Sequence, residues 1–330
     1  MIEILSSAAL ATVQDLGRTG SLRWGVGTAG AMDPLALAAG NLLLGNTVNA
    51  AGIEVPVFPF VVRFVSDCSF ALTGADGLAW LDDTPLLPWW SYHARAGQVL
   101  TLSPPPQTGT WRASRAYLCL GGGVDVPEVL GSRSTQLRGA FGGFEGRALR
   151  QGDVLRAARP GDGPGLTGFG LVPPALGLPL QQDGFAAMRV LPGAEYLNYQ
   201  AASRAAFWDS EWKITPQSDR YGYRLAGESL TPIESLEMRS HGIVPGVIQV
   251  PPGGQPIIQM RDAQPSGGYP KFGTVIEADL WRLGQAPIGS RVRFIETSWN
   301  EAVAALDEVT QWLDEVQRLV DLQRWQLGRN

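Results

Sequence analysis

At 330 residues, with 45% hydrophobic and 17% charged side chains, the chain is long enough for two globular domains and too apolar to be disordered. A net charge of -5, without any basic run, argues against a nucleic-acid or anionic-membrane surface, and no apolar run reaches the ~20 residues of a membrane helix. Two cysteines, two histidines and two lysines, with no CxxC, HExxH or P-loop pattern, leave no ligand set for zinc and little for Schiff-base chemistry.

The N-terminal "MIEILSSAALATVQDLGR" has no basic leader before its apolar part, so a cytoplasmic protein is expected. Glycine (41) and proline (24) punctuate short apolar runs, which predicts strands and tight turns in a barrel or sandwich. In "MDPLALAAGNLLLGN", Asp33 is an N-cap, Pro34 the first helical residue, and Gly45 with Asn46 a stop, which predicts a short helix. Cys68 and Cys119 lie in strand-like apolar contexts and read as buried free thiols. The Gly-, Pro- and Leu-rich run from Arg159 to Phe185 reads as an interdomain linker. A second helix is expected in "GAEYLNYQAASRAAFWDS". From Asn300 onward, Ala302, Leu306, Val309, Leu313, Val316 and Val320 alternate spacings of four and three. They predict one long helix with a single apolar seam, packed on its own domain in preference to a partner chain or a second copy. "RQGDVLRA" and "PIGSRVRF" echo each other weakly, as two copies of one β-fold would.

Four stretches carry polar groups that could meet a ligand. "VQDLGRTGSLRWGVGTAGAMD" sets Asp15 and Arg18 among five glycines, either an arginine fork for an anion or a pair that fixes a turn. "GSRST" surrounds Arg133 with hydroxyls, Ser134 and Thr135 included, as an anion nest or as a turn. In "SDRYGYRLAG", an extended backbone would point Arg220, Gly222 and Arg224 the same way beside Asp219. That leaves a gap for a carboxylate or phosphate, unless the segment is a solvated turn. Residues 242–270 hold four glutamines among apolar, Pro and Gly residues. "GVIQV" and "QPIIQMRD" read as two strands joined by "PPGG", with Gln249 and Gln259 either pairing with each other or holding an amide. Gln264 and Tyr269 follow on a glycine-bearing loop that could approach a small polar molecule closely.

The motifs "VQDLGRTG", "GGGVDVPEVLGSRST", "SDRYGYRLAGESL", "GIVPGVIQVPPGGQPIIQ" and "SGGYPKFGTVIEADL", in this order and spacing, resemble the group of 5-oxoprolinase C subunits. That group is similar to the carboxyltransferase domain of biotin-dependent urea carboxylases and is also labelled allophanate hydrolase subunit 2. The resemblance covers roughly residues 1–299. It implies a mainly β fold of two tandem cyclophilin-like barrels with a few short helices, spanning 1–160 and 186–299. A linker over 161–185 and a C-terminal helix over 300–330 complete the expectation. It also implies a tight partner, the 5-oxoprolinase B subunit. With the A subunit as well, the complex would open the cyclic amide 5-oxoproline with ATP and Mg2+, the lactam oxygen being phosphorylated first. The residues carried over are Asp219, Arg220, Arg224 and Gln249 as catalytic, with Asp15, Arg18, Arg133, Ser134, Thr135, Gln264 and Tyr269 as substrate-binding; no metal ligand is carried over. Two alternatives travel with it: a carboxyltransferase for a urea-like amide, which would bring biotin, and a non-enzymatic partner of a histidine-kinase inhibitor. Two positions depart from the family pattern: His241 stands in "SHG" where an acid is usual, and Pro265 where a threonine or similar residue is usual. An acid with a catalytic or magnesium-binding role would be missing here, whereas a structural hydrogen-bonding group could be replaced by histidine.

Overall fold

Apolar residues at every second position, such as Ile2 and Ile4, Phe60, Val62 and Phe64, or Leu100 and Leu102, are buried while their neighbours are not. That period of two is what a strand with one wet face requires. In the computed structural model, which describes residues 1–105, 113–158 and 167–328, these segments belong to the first of two units. The first comprises Met1–Arg18, Ala29–Leu178 and Thr310–Asn330, and the second Thr19–Thr28 and Pro179–Val309. The fold is mainly β.

In the first unit, one sheet runs in spatial order Val154–Leu155, Ile2–Ser7, Phe60–Phe64, Val99–Leu102, Ala79–Leu81 and Thr84–Leu86. A second runs Thr12–Gln14, Gly52–Val55, Ala116–Leu120, Cys68–Gly74 and Trp90–Ala94. Ile4, Val62, Phe64 and Leu100 of one meet Ile53, Phe70, Leu72 and Leu118 of the other in one core, so this half is two facing sheets sharing a core. The helix Pro34–Leu43 forms as its signals demand: the Asp33 carboxylate accepts from the Ala36 N–H at 2.9 Å. The Asp33 N–H donates to the Tyr117 hydroxyl, which donates to Glu54 at 2.7 Å. Burial, and then the charges of Glu54 and Asp33, push the Tyr117 phenol well above its ordinary pKa. Cys68 and Cys119 are both free and buried.

The expected linker is more than a connector. Residues 159–166 lie outside the described residues, but beyond them Phe169 and Leu171 bond the backbone of Ser91 and Trp89 and pack beside the helix Pro34–Leu43. Pro174–Gly177 is a single helical turn, and Gln181–Gln182 adds a strand to the next sheet. Unpaired backbone there would cost hydrogen bonds, and a neighbouring strand supplies them.

The second unit closes a seven-strand barrel: Phe185–Pro192, Lys271–Val275, Val247–Gln249, Ile257–Gln259, Gly222–Ala226, Trp212–Ile214 and Arg291–Glu296. Closure comes from parallel pairing of the last strand with the first, Ala186 with Val292 through Val190 with Glu296. The second expected helix is shorter than its pattern, a 3-10 turn at Tyr196–Asn198 followed by the helix Ala201–Asp209. Its Phe207 ring lies 4.7 Å from Phe272 and 4.8 Å from Phe294.

The C-terminal helix runs Trp299–Leu327, with its entry fixed by a capping box: the Ser298 N–H donates to Glu301, and the Glu301 N–H to the Ser298 hydroxyl. The seam differs from the expected one at a single position. Ala302, Val309, Leu313, Val316 and Val320 are covered as expected, but Leu306 is 42% exposed, and Ala305, at 2%, and Trp312 join the covered row instead. A straight helix advances 3.6 residues per turn, so a strict four-three row drifts off the contact line.

Candidate functional site

The expected residues fall into two groups, one in each unit. In the first unit, Asp15 ends the Thr12–Gln14 strand and its carboxylate is buried. Its Oδ1 accepts from Ser132 Oγ (2.6 Å), Ser134 Oγ (2.5 Å) and the Gly17 N–H (2.8 Å), and its Oδ2 from the Arg133 N–H (2.6 Å). Arg18, fully buried, donates through Nη2 to the Ser134 carbonyl at 2.6 Å, with its guanidinium 4.9 Å from the Phe141 ring centroid. A Cβ at Gly142 would sit 2.9 Å from that nitrogen, so glycine lets the loop close on the arginine. Thr135 Oγ donates to the Val13 carbonyl at 2.9 Å.

The expected anion nest is therefore corrected. The Ser134 and Thr135 hydroxyls face inward and tie the strand to its neighbouring loop, because a buried carboxylate needs several donors. Asp15 and Arg18 do not fork onto each other; each binds the 129–135 loop. Arg133 alone points out, 3.4 Å from Glu128 and 43% exposed in its side chain.

In the second unit, Arg220 lies two residues before its strand begins and turns inward. Its Nε and Nη2 each meet the Asp262 carboxylate at 3.0 Å. The expected same-face pair with Arg224 does not form, because alternation applies only within the extended segment. Asp219 is exposed and caps the turn, accepting from the Tyr221 and Gly222 N–H groups.

The hairpin of "GVIQV" and "PIIQM" forms as read, with Ile248 opposite Ile258 and Gln249 opposite Ile257. Ile248, Ile258 and Tyr223 are fully buried on the inner face. The outer face carries, across four neighbouring strands, Arg224, Ile257, Gln249 and Lys271 in one row. Gln259 stands beside them and donates to Gln249 Oε1 at 3.1 Å, while Gln249 Nε2 donates to the Tyr269 carbonyl at 3.2 Å. Tyr269 thus contributes its backbone to this contact, and its side chain is exposed, as is Gln264.

A short ribbon covers Gln249: His241 pairs with Gly267 and Gly242 with Ser266. A Cβ at Gly267 would come within 2.7 Å of Gln249 Nε2, so the ribbon can lie this close only with glycine there. His241 accordingly sits in the ribbon above the glutamines, its Nδ1 3.1 Å from the Arg239 carbonyl.

Lys271 is the residue that sequence reading overlooked as part of this group. No sequence signal placed it there, because Lys271 comes opposite Gln249 only through the pairing of their strands. Among the described residues, neither the Lys271 ammonium nor the Arg224 guanidinium has a hydrogen-bond or ion-pair partner. The row therefore offers two cations, three strand spacings or about 14 Å apart along the sheet, beside the half-buried amide of Gln259, while Gln249 is covered and bonded within the protein. Such a surface can bind a carboxylate at one end and the N–H and C=O of an amide at the other.

The family model for the carboxyltransferase domain, subdomain A and B, matches residues 24–296. The chain belongs to this family. Within it, the 5-oxoprolinase C subunit of Haemophilus influenzae is 43% identical over 321 residues, covering 97% of this chain and 99% of the relative. The 5-oxoprolinase C subunit of Escherichia coli is 40% identical, covering 96% and 97%. The crystal structure of Kluyveromyces lactis urea carboxylase superposes with a TM-score of 0.84 at 26% identity, over 96% of this chain and 29% of that one. The carboxyltransferase family thus includes both 5-oxoprolinase subunits and a segment of much larger urea-carboxylating enzymes.

Proposed function

We propose that this chain is the C subunit of an ATP-dependent 5-oxoprolinase, converting 5-oxo-L-proline to L-glutamate together with the A and B subunits. The observation that carries the reading is the match, over nearly the whole of both chains, to two proteins named as C subunits of 5-oxoprolinase. A name of that form marks a component that works with other subunits.

The outer row of the barrel suits the substrate. 5-Oxoproline is a small anion with one ring amide, and the row pairs cations with amides. In this reading Arg224 or Lys271 holds the carboxylate, and the half-buried Gln259, held in place by the covered Gln249, meets the ring amide. Fixing a poor electrophile in one orientation is the contribution such groups make. ATP with Mg2+ is assigned to the assembled complex. Among the described residues no three His, Cys, Asp or Glu side chains converge as metal ligands.

The test is ATP turnover by the purified subunits, separately and combined, with and without 5-oxoproline. The combination should show 5-oxoproline-dependent phosphate release and this chain alone none. Turnover by the single chain, or none by the combination, would overturn the reading. The likeness to urea carboxylase supports a second one, carboxyl transfer from carboxybiotin to a urea-like amide. Bicarbonate-dependent carboxylation with a supplied biotinylated carrier protein would favour it instead.

A further inference from the structure

The C-terminal helix presents a second apolar face besides the one that packs. Trp299 is 71% exposed, Val303 44% and Leu306 42%. Their spacing, i, i+4 and i+7, lines them along one side of the first two turns. Ala302, Ala305 and Val309, on the adjoining side, pack on Ile276, Ala278 and Leu191 of the second unit. The exposed row thus lies on a helix already anchored to its barrel.

Charge indicates what covers it. The helix carries six acidic residues, Glu301, Asp307, Glu308, Asp314, Glu315 and Asp321, against the basic Arg318 and Arg324, and every one of the six is exposed. Asp307 flanks the apolar row and Asp314 lies about two turns beyond its end on the same side of the helix, and among the described residues neither forms an ion pair. A second copy of this chain would bring the same acids against them, and like charges juxtaposed at an interface select against that partner. An anionic lipid surface would meet the same repulsion.

We infer that Trp299, Val303 and Leu306 form the docking surface for a different protein, one that presents an apolar row bordered by Lys or Arg. An exposed tryptophan at the head of such a row has the character of a binding hot spot. The inference rests on reading the chain as one component of an enzyme complex, and takes that partner to be a companion component.

The test uses the purified candidate A and B subunits of the same organism, titrated against the whole chain by calorimetry and checked by sedimentation velocity. Trp299→Ala with Val303→Asp should weaken binding by at least about 30-fold, with an unchanged circular dichroism melt. Asp307→Lys with Asp314→Lys should also weaken it, and added salt should weaken the wild type more than that variant. Wild-type affinity in both variants would overturn the docking surface while leaving the proposed function intact. A self-associating chain that Trp299→Ala renders monomeric would overturn it in favour of a second copy. Failure of the wild type to bind either candidate would remove the proposed function and the inference with it.

Discussion

The guanidinium of Arg220 closes on the carboxylate of Asp262 through two hydrogen bonds of 3.0 Å, and Asp262 is 1% exposed. The backbone adds to the tie, since the Asp262 N–H donates to the Arg220 carbonyl at 2.8 Å. The turn before the Gly222–Ala226 strand is thereby fixed to the loop that leads to Gln264 and Tyr269. An arginine expected to grip a ligand instead shapes the loop beside the candidate site.

Arg220→Ala is therefore expected to act on stability first. Removing one partner of a buried pair leaves an uncompensated charge, at a cost of about 3–5 kcal/mol. Urea unfolding measures it, and the double variant with Asp262→Ala should cost less than the two single losses added together. A wild-type midpoint for Arg220→Ala, with turnover lost, would return this residue to the ligand.

The outer row is expected to behave in the opposite way. Arg224→Ala and Lys271→Ala remove side chains without partners among the described residues, so stability should change by no more than about 0.5 kcal/mol. Affinity of the assembled complex for 5-oxoproline should fall by the worth of a charge-assisted contact, about 1.5–3 kcal/mol, for the cation that holds the carboxylate. Gln249→Leu should lose both, because the Gln259 amide and Tyr269 carbonyl would each lose a partner. Unchanged affinity in all three variants would leave the glutamines as core residues only.

In the first unit, Asp15→Ala should destabilise without touching ligand affinity. It strips the acceptor from two hydroxyls and two backbone N–H groups at once. With about 1–3 kcal/mol for each buried donor left unsatisfied, the loss should exceed about 3 kcal/mol. A thermal melt shows the first effect and calorimetry with 5-oxoproline and the assembled complex the second; an intact melt with abolished binding would restore the ligand role.

Cys119 supplies a pH signature. Burial pushes its thiol up from 9.0 to about 12. Between those values the folded chain holds a proton that the unfolded chain has released, so stability is whole below pH 9.0 and falls as pH rises toward about 12. The slope from this one group is about 1.4 kcal/mol per pH unit. Urea midpoints between about pH 8.5 and 10.5 should drop less steeply in Cys119→Ala than in the wild type, and equal slopes would show that the thiol does not contribute.

Some of this molecule was legible in its sequence because the deciding partners are close in the chain. The Asp33–Pro34 helix start and the Val247–Gln249/Ile257–Gln259 hairpin each depend on residues within about a dozen positions. Caps, turns and the two-residue period act over that range whatever the rest of the protein does. The same alternation that buries Ile248 and Ile258 places Gln249 and Gln259 on the opposite face, where they bond each other.

What the sequence left open was decided by which distant segments became neighbours. Asp15 meets Ser132 and Ser134 across 117 and 119 residues, and Arg220 meets Asp262 across 42. An ionisable side chain reads the same in the sequence whether it will face a ligand or a buried counter-ion, and only the tertiary structure gives it its partner. Lys271 joined the row of glutamines because its strand pairs with that of Gln249, and Ala305 displaced Leu306 in the helix seam through the 3.6-residue turn against a fixed surface. Local chemistry thus determined where the elements begin and end. Strand order and register determined which of their polar groups were spent inside the fold and which, as at Arg224 and Lys271, remained available to bind.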